Sequence, residues 1–284
     1  MCRLSATLSA PRVPVRSSSP LSAALCFRGA ATAAAPPRWS CARILLMGCV
    51  GVLAATALAG CQGKDSGSPV KAPGQAESTR TRVLEGGADV LQDKAPLEAM
   101  HTYLDGFHFY SGNMHAQMEA HHYCAVLNEE VFQCIIFDGN TRRAKIMGVE
   151  YIISARLFRD LPAAEKALWH SHVHEVKSGQ LVAPGIPDLA EHKLMEQLVG
   201  TYGKTWHTWH TDQGNALPLG PPQLMMGFTA DGQIDPALVS DRDQRMGVDS
   251  NRKRGERASI PAPPIDPGAD AWQHGKAVQL KDPS

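Results

Sequence analysis

Val131-Phe132-Gln133-Cys134-Ile135-Ile136-Phe137-Asp138, followed by Gly139-Asn140, is the stretch that decides the fold class. An almost continuous apolar run of this length, rich in β-branched and aromatic residues and closed by a turn dipeptide, reads as a buried strand. Ile146 to Ser154 reads the same way, and the two are expected to form a hairpin across residues 139–145.

Working outward, Pro96–Leu104 and Asn113–Leu127 read as helices. Leu161-Pro162-Ala163-Ala164-Glu165 opens another, with proline in its first turn. A third strand is expected through His170–Val176 and on to Leu181-Val182, then a helix over Asp188–Tyr202 capped by Asp188, then a strand over Gln223–Thr229. No regular strand-helix-strand spacing or internal repeat is present. The predicted class is therefore α+β: a small, mostly antiparallel sheet packed with several helices in a single domain.

The ends differ from this middle. Residues 1–60 contain six arginines and no Asp or Glu, so the zero formal charge of the chain hides a remainder with a net charge of −6. An acidic domain gives no clustered basic face, and no nucleic-acid partner is expected. Ile44–Gly60 is an unbroken run of apolar or small residues, preceded by Arg38 and Arg43 and ending Leu58-Ala59-Gly60-Cys61. Charged, then apolar, then small is the order of an export signal. The ending is similar to the lipobox of bacterial lipoproteins, whose cysteine takes a diacylglycerol.

On that reading residues 1–60 are removed, and Cys61 is lipidated and holds the protein to a membrane without spanning it. An uncleaved anchor and an organellar transit peptide are the competing readings; the run is short for a span, and a lipobox adds nothing to a transit peptide. Gln62 in place of aspartate favours the outer membrane, periplasmic side, as the exported location. Residues 61–96, made largely of Gly, Ser, Pro, Lys and Thr at first, read as a flexible tether. Residues 97–250 read as the globular domain, and 251–284 as a charged, Pro-rich arm with Trp272 as its one anchor. Of the seven cysteines only Cys124 and Cys134 remain in the domain, where they either pair in an oxidising compartment or stay as free buried thiols.

Eleven of the twelve histidines lie between His101 and His210, and histidine is the commonest metal ligand. On the expected helix, His115, Glu119 and His122 share one face, and Glu119 and His122 have the Glu-x-x-His spacing of di-iron bundles. A second such pair is missing. On the expected strand, His170, His172 and His174 project to one side and Glu175 to the other. That pattern is similar to the cupin motif, with the glutamate one or two residues too early. Asp188-Leu189-Ala190-Glu191-His192 has the spacing of an inverted zinc-protease motif but carries Asp where histidine belongs. Neither a nucleophile elbow nor a glycine-rich phosphate loop occurs. His207 and His210, flanked by Trp206 and Trp209, fit packing or a ligand wall as readily as coordination. The candidate ligands are thus Glu119, His122, His170, His172 and His174, for a divalent transition metal such as Zn or Fe; no cofactor is required by any motif.

Six strings resemble the oil body-associated protein family. They are Gly106-Phe107-His108-Phe109-Tyr110-Ser111-Gly112, Glu119-Ala120-His121-His122-Tyr123-Cys124, Gly148 to Ser154, Leu168-Trp169-His170-Ser171-His172, Tyr202-Gly203-Lys204-Thr205, and Leu217-Pro218-Leu219-Gly220 running into Gln223-Leu224-Met225-Met226. Together they cover the expected globular part. The resemblance implies a domain associated with lipid-droplet surfaces and brings no enzyme activity or cofactor; the lipobox and tether depart from the plant pattern. Two functions are therefore expected to compete. One is a membrane-tethered, non-enzymatic module that binds a lipid or protein partner at a lipid surface or in the cell envelope. The other is a His-rich metal-binding domain, in its sharpest form a metal-dependent hydrolase.

Overall fold

The computed structural model describes residues 65–276 and 278–280. The signal expected at 1–60 and the lipidation expected at Cys61 lie outside the described residues. Among the described residues the strands are β1 (Thr102–Tyr110), β2 (Asn113–Asn128), β3 (Val131–Phe137), β4 (Ile146–Ser154), β5 (His170–Ser171), β6 (Thr201–His207) and β7 (Gln223–Met226). The helices are α1 (Thr79–Leu91), α2 (Ala95–Glu98), α3 (Ala155–Arg159), α4 (Ala163–Lys166), α5 (Val173–Ser178), α6 (Asp188–Leu198), α7 (Pro236–Met246) and α8 (Ser250–Glu256).

β1 to β4 form an antiparallel meander, with the expected β3–β4 hairpin closed by Phe137 opposite Ile146. β4 then pairs with β6, β6 with β7, and β7 with β1. Six antiparallel strands thus close into a barrel. The class is α+β, but the small open sheet expected from the sequence is corrected: closure pairs the strand edges that an open sheet would leave free. One stretch of wall is composite. β6 pairs with β7 near His207 and with the two-residue β5 near Gly203. On the facing side, Asp105 and Val182 exchange backbone hydrogen bonds of 2.8 Å each. Between β1 and β6, then, the wall is β7 at one end and the β5–α5 segment at the other.

The helix expected over Asn113–Leu127 is instead the long strand β2. Its Met, Ala, Gln and Glu residues favour helix locally. However, Ser111-Gly112 makes a two-residue turn, with Gly112 at φ 87°, which lays β2 along β1, and β3 pairs with its second half. Backbone pairing on both edges outweighs local propensity. The helix expected over Pro96–Leu104 is the single turn α2, because β1 has begun by Thr102. The strand expected over His170–Val176 stops after Ser171 and becomes α5, which ends at Gly179 in the left-handed region, φ 81°. α6 ends at Leu198, with Pro187 rather than Asp188 at its N-cap, and Thr201–His207 is β6.

The flanks also carry structure. The segment read as a tether contains α1, none of whose residues is buried. The segment read as an arm packs on the barrel: Arg257, Ile260 and Asp270 are buried, and the Trp272 ring meets Phe109 edge-on at 4.9 Å. The charge run Asn251–Arg257 is only partly solvated, since Lys253 and Arg257 are buried and both pair with Glu191 of α6.

Strand alternation sorts the side chains. Leu104, His108 and Tyr110 of β1, Met118, His122 and Cys124 of β2, Cys134 and Ile136 of β3, Glu150 and Ile152 of β4, and Gly203, Thr205 and His207 of β6 point into the barrel in matching register. One end of the interior is apolar, with Leu104, the Cys124–Cys134 disulfide, Phe132 and Ile152 packed against Val176 of α5 and Met195 and Leu198 of α6. The other end is also apolar, with Tyr110, Met118, Ile136, Met147 and Met225. Between these two layers lies a layer of titratable side chains.

Candidate functional site

Glu150 is the centre of that middle layer. It is 2 % exposed, and its carboxylate meets four imidazoles. Oε2 lies 2.8 Å from His122 Nε2 and 3.7 Å from His108 Nε2; Oε1 lies 3.2 Å from His172 Nε2 and 3.6 Å from His170 Nε2. Glu175 adds a second carboxylate, with Oε2 3.9 Å from His172 Nε2, and His207 Nε2 stands 3.4 Å from His108 Nδ1. All of these residues are buried.

Local folding explains the convergence. His108, His122 and Glu150 sit at inward positions of β1, β2 and β4. His170 is on β5, opposite Gly203 of β6. His172 precedes the first turn of α5, so Glu175 falls three residues later on the same side of the helix. Room is made by glycine: a Cβ at Gly203 would overlap Glu150 Oε1 and stand 2.8 Å from His170 Nε2. A Cβ at Gly227, just after β7, would stand 2.9 Å from Glu175 Oε2.

The environment sets the charges. Burial alone would raise the Glu150 carboxyl, but hydrogen bonds from His122 and His172 and the surrounding imidazoles hold it well below the usual carboxylate range. Burial pushes Glu175 well above its ordinary value, and the Glu150 and Asp270 charges add to this. Burial lowers His170 and His207 to about 3 and takes His108 well below its ordinary value. Two of the rings are oriented from behind. His122 Nδ1 is 3.0 Å from the Ala120 carbonyl; His172 Nδ1 is 2.8 Å from Thr201 Oγ1, whose hydroxyl donates to Leu198 O. Each ring therefore donates from Nδ1 and turns Nε2 toward the carboxylates, the orientation that metal-ligating histidines share.

Of the residues singled out from the sequence, His122, His170 and His172 come together here. Glu119 does not: on β2 it faces away from His122, pairs with Arg245 of α7 and lies 3.5 Å from His121. The shared helix face of His115, Glu119 and His122 fails because on a strand the even and odd positions part. His174 points elsewhere, 3.8 Å from Asp231, because α5 turns it off the line of His170 and His172. The same turn brings Glu175 in, against the expectation that it faces away. His108 and Glu150 are missed by motif spacing altogether, although a lone carboxylate in the apolar run Ile146–Ser154 is a visible signal.

The outer face of the barrel carries a different feature. Tyr123, Ile135, Val149 and Trp206 lie in register across β2, β3, β4 and β6, an apolar row on the outside of four strands. Tyr151 and Ile146 extend it at 47 % and 52 % exposed. Beside the row is a cavity of about 320 Å³ lined by Leu97, Met100, Tyr123, Ile135, Phe137 and Arg142 among others.

Residues 94–261 match the family described as protein of unknown function (DUF1264). Oil body-associated protein 1A of Zea mays is 44 % identical over 215 residues, 75 % of this chain and 90 % of the relative. Oil body-associated protein 1B of Arabidopsis thaliana is 40 % identical over 212 residues, 74 % of this chain and 88 % of the relative. Oil body-associated protein 2B of Zea mays is 40 % identical over 214 residues, 73 % and 86 % of the two chains. No solved structure matches significantly. The expected location, exported and lipid-anchored at the outer membrane on the periplasmic side, is corrected by these findings: the relatives are oil body-associated proteins of plants.

Proposed function

The chain belongs to the oil body-associated protein family, and on that premise we propose that its folded domain is a binding module for a lipid surface. The observation that carries the reading is the row Tyr123–Ile135–Val149–Trp206, continued by Tyr151 and Ile146. Outward positions of a barrel in water are normally polar, because each exposed apolar side chain forgoes about 25 cal/mol per Å² of burial. Val149, Ile146 and Tyr151 are exposed, with half-buried Tyr123, Ile135 and Trp206 beside them, and a covering lipid surface would take up that apolar area. Its chemistry suits the boundary of a lipid layer: tyrosine and tryptophan join an apolar ring to a polar tip, and Arg142, Arg143 and Lys145 stand in the adjoining β3–β4 loop, able to extend their stems over apolar surface while keeping charge in water.

The test is flotation of the purified protein with triacylglycerol droplets coated by a phospholipid monolayer. The expected result is recovery in the floating layer, lost in an Ile135→Glu/Val149→Glu variant that keeps the thermal unfolding profile of the parent. Equal flotation of parent and variant would remove this face from the reading, and absence of parent flotation would remove the reading itself.

A further inference from the structure

We propose that the middle layer of the barrel is a binding site for one divalent transition-metal ion, held by Nε2 of His170 and His172 and by carboxylate oxygens of Glu150 and Glu175, with His108 next to it.

Four observations converge. First, spacing: the ligand atoms of His108, Glu150 and His170, and those of His170, His172 and Glu175, form two groups whose members lie within 4.8 Å of one another and share His170. In a tetrahedral site with bonds near 2.0–2.1 Å, neighbouring ligand atoms are about 3.3 Å apart. The separations of His172 and His170 from Glu150 and of His172 from Glu175 are 3.2, 3.6 and 3.9 Å, close to that spacing.

Second, missing partners: both ring nitrogens of His170 and Oε2 of Glu175 are buried and make no hydrogen bond to the described residues. Leaving such groups unpaired is destabilising, and a cation supplies the partner that the protein does not. Third, orientation: His172 is locked through Thr201 to the Leu198 carbonyl, which turns Nε2 toward the carboxyl groups of the interior. Fourth, close approach: glycine at 203 and 227 lets the Glu150, His170 and Glu175 side chains gather against backbone that a Cβ would block.

Carboxyl and imidazole groups gathered between two apolar layers are costly to bury without partners. A mixed imidazole and carboxylate set with no thiolate suits Zn, Mn or Fe in the divalent state. Position also suggests what the ion does. His170, His172 and Glu175 come from β5 and α5, the segment that fills the wall where β1 and β6 do not meet, and Glu150 comes from the intact wall. The ion joins the inserted segment to the barrel.

The full chain, purified without chelator or affinity tag, is analysed for metal, then stripped and titrated with Co²⁺ while its visible absorption is recorded. The expected result is one equivalent of a transition metal, a Co²⁺ spectrum of low-symmetry nitrogen and oxygen coordination, and a fall in unfolding temperature on stripping that Zn²⁺ reverses. Glu175→Gln, almost isosteric and therefore expected to fold, should bind Co²⁺ at least tenfold more weakly, whereas His174→Ala and His192→Ala should bind as the parent does. A folded, metal-free chain that gives no Co²⁺ spectrum overturns the proposal. So does undiminished binding by Glu175→Gln, or loss of binding in His174→Ala and His192→Ala. These readouts are independent of lipid flotation.

Discussion

His122 Nε2 and Glu150 Oε2 face each other at 2.8 Å across the barrel lumen, from strands that are separated in the sheet by β3. The His122 ring is held from behind by the Ala120 carbonyl, 3.0 Å from Nδ1. The pair draws β2 and β4 together through the interior as well as around the wall.

Removing the carboxylate should therefore be costly. Glu150→Ala leaves up to four buried imidazoles without their shared acceptor, and breaking a buried pair typically costs about 3–5 kcal/mol. Urea denaturation of the parent and the variant measures it; a loss below about 1 kcal/mol would mean that the histidines are satisfied by other means.

Gly203→Ala tests the packing of the same layer. The added methyl overlaps Glu150 Oε1 and presses on the His170 ring, both rigidly placed. Destabilisation of about 1–3 kcal/mol is expected for overpacking of this kind. Gly214→Ala is no substitute as a control, since Gly214 sits at φ 78°; Gly86→Ala, in the exposed helix α1 with nothing within 4 Å, should be neutral or slightly stabilising.

Arg242 of α7 is fully buried, donates to Asp105 Oδ1 at 2.8 Å and to the Gln180 carbonyl at 2.9 Å, and lies over the Phe107 ring. Arg242→Ala leaves the Asp105 carboxylate, beside the β1–Val182 bridge, with only His121 at 2.9 Å from Oδ2, and is expected to cost about 3–5 kcal/mol. Hydrogen exchange should show the loss first in α7 and at Asp105 and Val182. Uniform loss of protection throughout the barrel would contradict this placement of the damage.

Asp270 gives a pH dependence. Its carboxylate accepts from Ser171 N–H at 3.0 Å and from Ser171 Oγ at 2.7 Å, but burial outweighs these bonds and pushes its pKa up to about 6. A carboxyl with a raised folded-state pKa binds its proton more tightly in the folded chain. Its contribution is thus fully present below the unfolded value near 4 and is lost as pH rises through 6, a change of about 3 kcal/mol. Asp270→Asn keeps an acceptor for Ser171 and removes the titration. The variant should gain stability relative to the parent between about pH 4 and pH 7; parallel stability profiles across that range would show that Asp270 does not titrate there.

Local structure was legible in the sequence, together with the family membership carried by its strings. The β3 and β4 runs are so rich in β-branched and aromatic residues that only a strand satisfies them, and their separation implies a hairpin; the α+β class follows. His122, His170 and His172 were also legible as candidates, from the Glu-x-x-His and His-x-His spacings, and these three side chains meet in the barrel. Tertiary structure decided the rest. β2 has helix-favouring residues and becomes a strand because β1 and β3 supply its hydrogen bonds. Once it is a strand, Glu119 and His122 part to opposite faces. Glu150 reaches His170 and His172 only because β4 pairs with β6, some fifty residues further along the chain, and β5 lies on that same strand. Inward and outward alternate with every residue of a strand, so the members of a barrel's interior depend on register and closure, which no spacing within one segment encodes.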